Sequence, residues 1–139
     1  MGDAMQELVV EAKDENLTKI MAVVEENLER MGCPMKAYTQ IVIAVEEIFV
    51  NISHYAYGDQ TGEATIRIET EDSPQGIAIT FIDRGMPYDP LAKPDPDITL
   101  GAEERQIGGL GIFMVKKTMD EMEYQFVDGQ NILRIKKFF

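Results

Sequence analysis

Gln106–Ile107–Gly108–Gly109–Leu110–Gly111–Ile112–Phe113–Met114–Val115–Lys116–Lys117 places three glycines within four positions and then runs on as an apolar, helix-forming stretch. Glycine loses more conformational freedom on ordering than any other residue, so a cluster needs a physical reason. Something must approach this backbone closely enough to exclude side chains. A helix that starts here offers free N–H groups and the positive end of its dipole, which favour an anion such as a phosphate. A hinge at the end of the preceding loop is the ordinary alternative, and the two uses are compatible. Neither GxxxxGK[ST] nor GxGxxG occurs, so P-loop and dinucleotide-fold readings fail.

Working outward, the apolar run predicts a helix over about Leu110 to Asp120. Two strands follow, near Tyr124–Val127 and Ile132–Lys136, around a turn at Asp128–Gly129. Upstream, four prolines fall between Pro87 and Pro96, and the chain stays polar to Gln106, which predicts a loop or lid over about 88–107. Before it, Ile77–Ala78–Ile79–Thr80–Phe81–Ile82 reads as a buried strand, joined by a turn at Ser73 to Gly76 to Thr65–Thr70, which alternates like a strand with one wet face.

Pro34 fits the first turn of a helix running to about Ala56. An earlier helix carries Leu17, Ile20, Met21, Val24, Leu28 and Met31, opened by Asp14 or Asn16 as cap and stopped at Gly32. Gln6 to Ala12 reads as a first strand. The order strand, helix, helix, hairpin, lid, helix, hairpin predicts a single α+β domain over 1–139. It is a two-layer sandwich with helices on one face of a mostly antiparallel mixed sheet.

A length of 139 residues suits one hydrophobic core. No apolar stretch approaches the roughly 18–20 residues that span a bilayer, and Gly2, Asp3 and Glu7 interrupt any signal-like start, which points to the cytoplasm. A net charge of −12 argues against nucleic-acid or anionic-membrane surfaces, since both need basic patches. A bound nucleotide stays compatible, because backbone N–H groups and a divalent cation neutralise phosphates locally. Cys33, the single cysteine, lies in a Gly-Cys-Pro turn and reads as a small filler residue.

The helix from Pro34 is apolar on two sides. Tyr38, Ile41, Val42, Val45, Ile48, Phe49 and Ile52 form a core stripe, while Ile43 and Val50 flank an opposite strip of Gln40, Ala44, Glu47, Asn51 and His54. Taken alone, Glu47 and Asn51 read as solvated helix residues. A carboxylate beside Ile43 and Val50 needs a compensating partner, however, and a Mg²⁺-bound nucleotide would supply one. Asn51 would offer its amide oxygen to the metal, and Glu47 would orient or deprotonate an attacking hydroxyl. Asp83–Arg84–Gly85–Met86–Pro87 is by itself an ordinary tight turn. Read functionally, Asp83 accepts a hydrogen bond from an exocyclic amine and so selects adenine. Gly85 lets the backbone pass a flat ring, and Pro87 stiffens the exit.

Together, Glu47-x-x-x-Asn51, Asp83-x-Gly85-x-Pro87 and Gly108–Gly109–Leu110–Gly111 resemble the N, G1 and G2 boxes of the Bergerat-fold ATPases in order and spacing. That superfamily includes gyrase, the ninety-kilodalton heat-shock chaperone, histidine kinases and mismatch-repair ATPases. The small size, Val45–Glu46–Glu47 and the ending Asn131-x-Leu133-x-Ile135-x-Lys137 are most similar to the anti-sigma-factor serine kinases.

The resemblance implies ATP and Mg²⁺ as cofactors. It makes Asn51 the Mg²⁺ ligand, Glu47 the general base and Asp83 the reader of the adenine amine. Gly85, Met86 and Pro87 would stand in the ATP site, with Gly108, Gly109, Leu110 and Gly111 cradling phosphates and Arg105 reaching the γ-phosphate. It also implies an anti-sigma antagonist as substrate, a sigma factor as binding partner and hence a role in transcription regulation. A nucleotide-gated binding module and a simple ATPase are the alternatives. Where those kinases often carry His–Ala–Tyr, this chain reads Tyr55–Ala56–Tyr57 with His54 one place earlier, so His54 reads as a helix-end residue. The first strand and helix offer a surface for a homodimer.

Overall fold

The computed structural model describes residues 4–91 and 109–139. In chain order these form β1 (Ala4–Glu11), a single 3-10 turn (Asp14–Asn16), α1 (Leu17–Arg30), α2 (Met35–Tyr55), β2 (Glu63–Asp72) and β3 (Gln75–Asp83). They continue with α3 (Gly109–Thr118), β4 (Glu121–Val127) and β5 (Gln130–Phe138). The strands make one sheet in the order β1-β2-β3-β5-β4. Every described pairing is antiparallel, so among the described residues the sheet shows no parallel pair of the kind a mixed sheet would add.

β3 is central and buried from Gly76 to Asp83. Its apolar run reflects burial on both faces, whereas β2, one place out, alternates. The helices pack on one face. Ile20, Val24 and Leu28 of α1 and Ile41, Val45, Ile48 and Phe49 of α2 meet Ile66, Ile68, Ile77, Ile79, Phe81, Leu133 and Ile135 of the sheet. Each such side chain stabilises the fold by about 1.5–3 kcal/mol. Tyr38, Val42 and Ile52 join the core stripe of α2 only partly buried, and Ala37 and Ala44 complete it.

Neither expected cap bonds the start of α1. Asn16 makes no side-chain cap hydrogen bond there, because its amide donates to the Glu11 carbonyl at 2.8 Å. The Asp14 carboxylate is taken by Ser53 Oγ and His54 Nε2, both at 2.7 Å, which ties the 3-10 turn to the end of α2. Those two hydrogen bonds, His54 first, hold the Asp14 carboxyl below the usual carboxylate range. Asp128 and Gly129 both have positive φ, the pairing that a two-residue hairpin turn between β4 and β5 requires.

Strand phase then delivers the site. Asp83 lies on the same face as Ile77, Ile79 and Phe81, and Asn131 on the same face as Leu133 and Ile135. Asp83 and Asn131 are directly opposite in the β3–β5 register, so two polar side chains end a ladder of apolar pairs. The fold carries them to the end of the core, beneath α2.

Candidate functional site

A cavity of about 200 Å³ opens at that end of the core. Ile48, Ile52, Phe81, Ile112 and Leu133 give it apolar walls, and Asn51, Asp83 and Asn131 supply polar groups. Met86 and Pro87 from the turn after β3 line it too, with both side chains exposed. An apolar slot with a few convergent polar groups is what a flat heterocycle requires.

Asp83 is 6 % exposed, and its Oδ1 accepts from the Gly85 N–H and from Asn131 Nδ2, each at 2.9 Å. Asn131 is the hub of the turn. Its Nδ2 also donates to the Met86 carbonyl at 2.9 Å, while its Oδ1 accepts from the Tyr88 N–H at 3.1 Å and from the Tyr124 hydroxyl. With Oδ1 engaged twice, Oδ2 of Asp83 is left without a donor among the described residues. Asp83 itself lines the cavity. The sequence motifs assign no site role to Asn131 or Tyr124. The available signal was a polar residue in the core phase of Asn131-x-Leu133-x-Ile135.

Glu47 lies one helical turn before Asn51 on α2, and both are half-buried. The cover over Glu47 comes from α3: a Cβ added at Gly111 would fall on the Glu47 carboxylate. Ile43, expected to shield the strip, is 53 % exposed. Burial, and secondarily the neighbouring Glu46, raises the Glu47 carboxyl above the ordinary glutamate range. The described helix begins at Gly109, so Gly109 stands with Leu110 and Gly111 in its first turn. Their N–H groups have no partner within the helix. α3 thus brings its anion-favouring end against the turn of α2 that carries Glu47, and its Ile112 lines the same cavity as Asn51 and Asp83.

Gly85 packs on the end of α2. A Cβ there would collide with the Ala56 carbonyl, and the Met86 N–H bonds that carbonyl at 2.8 Å, so the glycine lets the turn dock on the end of α2. His54 is exposed and paired with Asp14, outside the cavity lining, whereas Tyr55 takes a place at the cavity wall. Arg105, Gly108 and the expected lid from 92 onward lie outside the described residues.

The groups present fit Mg·ATP. Asp83 supplies a carboxylate acceptor in an apolar slot, and the first turn of α3 meets the Glu47 carboxylate at Gly111. Asn51 offers a hard oxygen ligand. Among the described residues no group of three or more His, Cys, Asp and Glu is placed to hold a metal.

Comparison with known proteins agrees with this geometry. The Histidine kinase-like ATPase domain family matches residues 10–137. Serine-protein kinase RsbW of Listeria monocytogenes is 27 % identical over 115 residues, covering 77 % of this chain and 70 % of that protein. Serine-protein kinase RsbW of Bacillus cereus is 26 % identical over 137 residues, covering 94 % and 82 %. The crystal structure of the RsbU and RsbW domains of Rv1364c from Mycobacterium tuberculosis superposes with a TM-score of 0.68 at 14 % identity. That match spans 97 % of this chain and 32 % of the other, and shows a shared fold. No helix among the described residues is long and apolar enough to cross a membrane.

Proposed function

Because the chain belongs to the Histidine kinase-like ATPase domain family, and relatives along most of its length are serine-protein kinases, we propose that it is an ATP-dependent protein serine/threonine kinase of the anti-sigma-factor type. It transfers a phosphoryl group to a serine of a small anti-sigma antagonist in the cytoplasm and holds a sigma factor by direct binding. One observation carries the reading: the Glu47 carboxylate seats against Gly111 in the first turn of α3, beside a cavity shared by Asn51, Asp83 and Ile112.

Mg·ATP supplies the transferable phosphoryl group and the charge neutralisation around it. Asp83 accepts the adenine amine through Oδ2, while Asn131 and Gly85 hold Oδ1. Asn51 would offer its amide oxygen to the cation and the first-turn N–H groups of Gly109, Leu110 and Gly111 would hold the phosphates, with Arg105 and Gly108 proposed from the sequence alone as further phosphate ligands. Glu47 takes the proton from the acceptor serine hydroxyl, a role suited by its partial burial.

The test is incubation with γ-labelled ATP and the candidate antagonist protein. Label on the antagonist serine supports the kinase. Binding without transfer supports a nucleotide-gated module, and label released only as free phosphate supports a simple ATPase.

Gly111→Ala probes the seat of Glu47. The atoms that the new methyl meets are the end of a flexible side chain, so the fold absorbs it by swinging the carboxylate away. Alanine is also the better helix former at this position. The expected result is unchanged or slightly raised thermal stability with transfer slowed about tenfold or more, since a small displacement of a catalytic group has that effect. Transfer at the wild-type rate would show that Glu47 does not work from this position.

A further inference from the structure

Tyr57 stands just past the end of α2 and bonds both strands that lead to the turn after β3. Its hydroxyl accepts the Arg84 N–H at 2.8 Å and donates to the Glu63 carbonyl. The β2–β3 register ends at Ala64 opposite Asp83, so Glu63 and Arg84 face each other at what would be the next rung. The phenol sits between them. Two backbone groups that would have bonded each other bond one hydroxyl instead, and the ladder stops with Asp83 as its last paired residue.

The ring is seated as firmly as the hydroxyl. A Cβ at Gly62 would overlap the Tyr57 ring, so the glycine leaves the ring its place, and the Gly62 carbonyl accepts the Ala12 N–H at 2.8 Å. Next to it, the Ala56 carbonyl takes the Met86 N–H at 2.8 Å. Ala56 and Tyr57 thus strap the turn at Arg84 and at Met86, one residue to either side of Gly85. Asn131 holds the same turn from β5, but through the Asp83 carboxylate and the Met86 carbonyl. The Tyr57 strap acts on the N–H of the peptide group that directly follows Asp83. Burial raises the Tyr57 phenol above its ordinary range, so the hydroxyl keeps its proton and donates to Glu63 across neutral pH.

We propose that Tyr57 is a positioning residue that sets where the Asp83 carboxylate stands, and through it the preference for adenine. The second half of this role rests on the reading of Asp83 given above. The strap ties base recognition to the helix that carries Glu47 and Asn51, so the base and the phosphate ends of the site share one frame.

Tyr57→Phe tests it, since it keeps the ring over Gly62 and removes only the hydroxyl. Hydrogen exchange at the Arg84 amide is expected to speed up about tenfold, the size of one lost hydrogen bond. Affinity for ATP by calorimetry, and the preference for ATP over GTP by competition, are each expected to fall about tenfold, with transfer at saturating ATP unchanged. General loosening of the fold would weaken ATP and GTP alike and leave their ratio alone, and that outcome overturns the positioning role. Unchanged exchange at Arg84 overturns it as well. A wild-type protein that binds no ATP, yet shows the exchange change in the variant, overturns the parent reading and leaves the strap on Asp83 standing.

Discussion

Glu47→Gln is expected to slow phosphoryl transfer to the acceptor serine by about 10²–10⁴-fold, the usual contribution of a positioned general base, while ATP binds as before. The amide matches the carboxylate in size, so it fits the same seat against Gly111 and leaves the packing of α2 on α3 intact. It cannot accept the hydroxyl proton, and that is the one property the substitution removes. Binding is expected to hold because the proposed adenine contact, Asp83, and the proposed metal ligand, Asn51, are separate side chains on the cavity wall.

The pH dependence follows from the same environment. Burial first, and the charge of Glu46 second, raise the Glu47 carboxyl above the ordinary glutamate range. The base works only when ionised, so the rate at saturating ATP falls as pH drops, and the acid limb lies above the usual glutamate range. Label transfer measured against pH, beside calorimetry of ATP binding, reads both effects. Full transfer in Glu47→Gln would remove Glu47 from the chemistry, and loss of ATP binding would make it a binding residue instead.

How much of this was legible depends on the distance over which each cause acts. The core stripe of α2 and the burial of β3 are local periodicities, and Ile41, Val45, Ile48 and Phe49 lie where the sequence places them. Asp83 reads as a strand-end carboxylate in the core phase of Ile77, Ile79 and Phe81, which is again local. The partial burial of Glu47 was expected for the wrong reason. Ile43 is exposed, and the cover comes from Gly111, far along the chain, through a helix–helix contact that no periodicity encodes. Gly85 likewise meets a tertiary neighbour, the Ala56 carbonyl, that no local pattern encodes. The cap of α1 failed because Asp14 found Ser53 and His54, partners that a scan of neighbouring residues does not see. Asn131 reads in the sequence only as the start of the ending that carries the resemblance, and its place in the site arises from the register that sets it opposite Asp83.

That register also fixes what happens when Asp83 loses its charge. Asp83→Asn is expected to lower ATP affinity about 100-fold with little change in thermal stability. Two donors, the Gly85 N–H and Asn131 Nδ2, converge on Oδ1. An asparagine at 83 satisfies them only with its oxygen in that place, which turns its NH₂ toward the cavity. The adenine amine is a donor as well, so the carboxylate's acceptor becomes a donor facing a donor, and a buried polar pair is left unmet. Rotating the amide to greet adenine sets its NH₂ against Gly85 and Asn131 instead, which moves the conflict without removing it. Either way the turn keeps its Asn131–Met86 and Met86–Ala56 bonds, so the fold survives and the loss falls on the ligand. A six-oxo purine presents an acceptor where adenine presents its amine, so the same variant is expected to bind GTP no worse than the wild type. Calorimetry with both nucleotides reads the two predictions together. ATP affinity at the wild-type level in Asp83→Asn would mean that the base does not meet this carboxylate, whatever else the cavity holds.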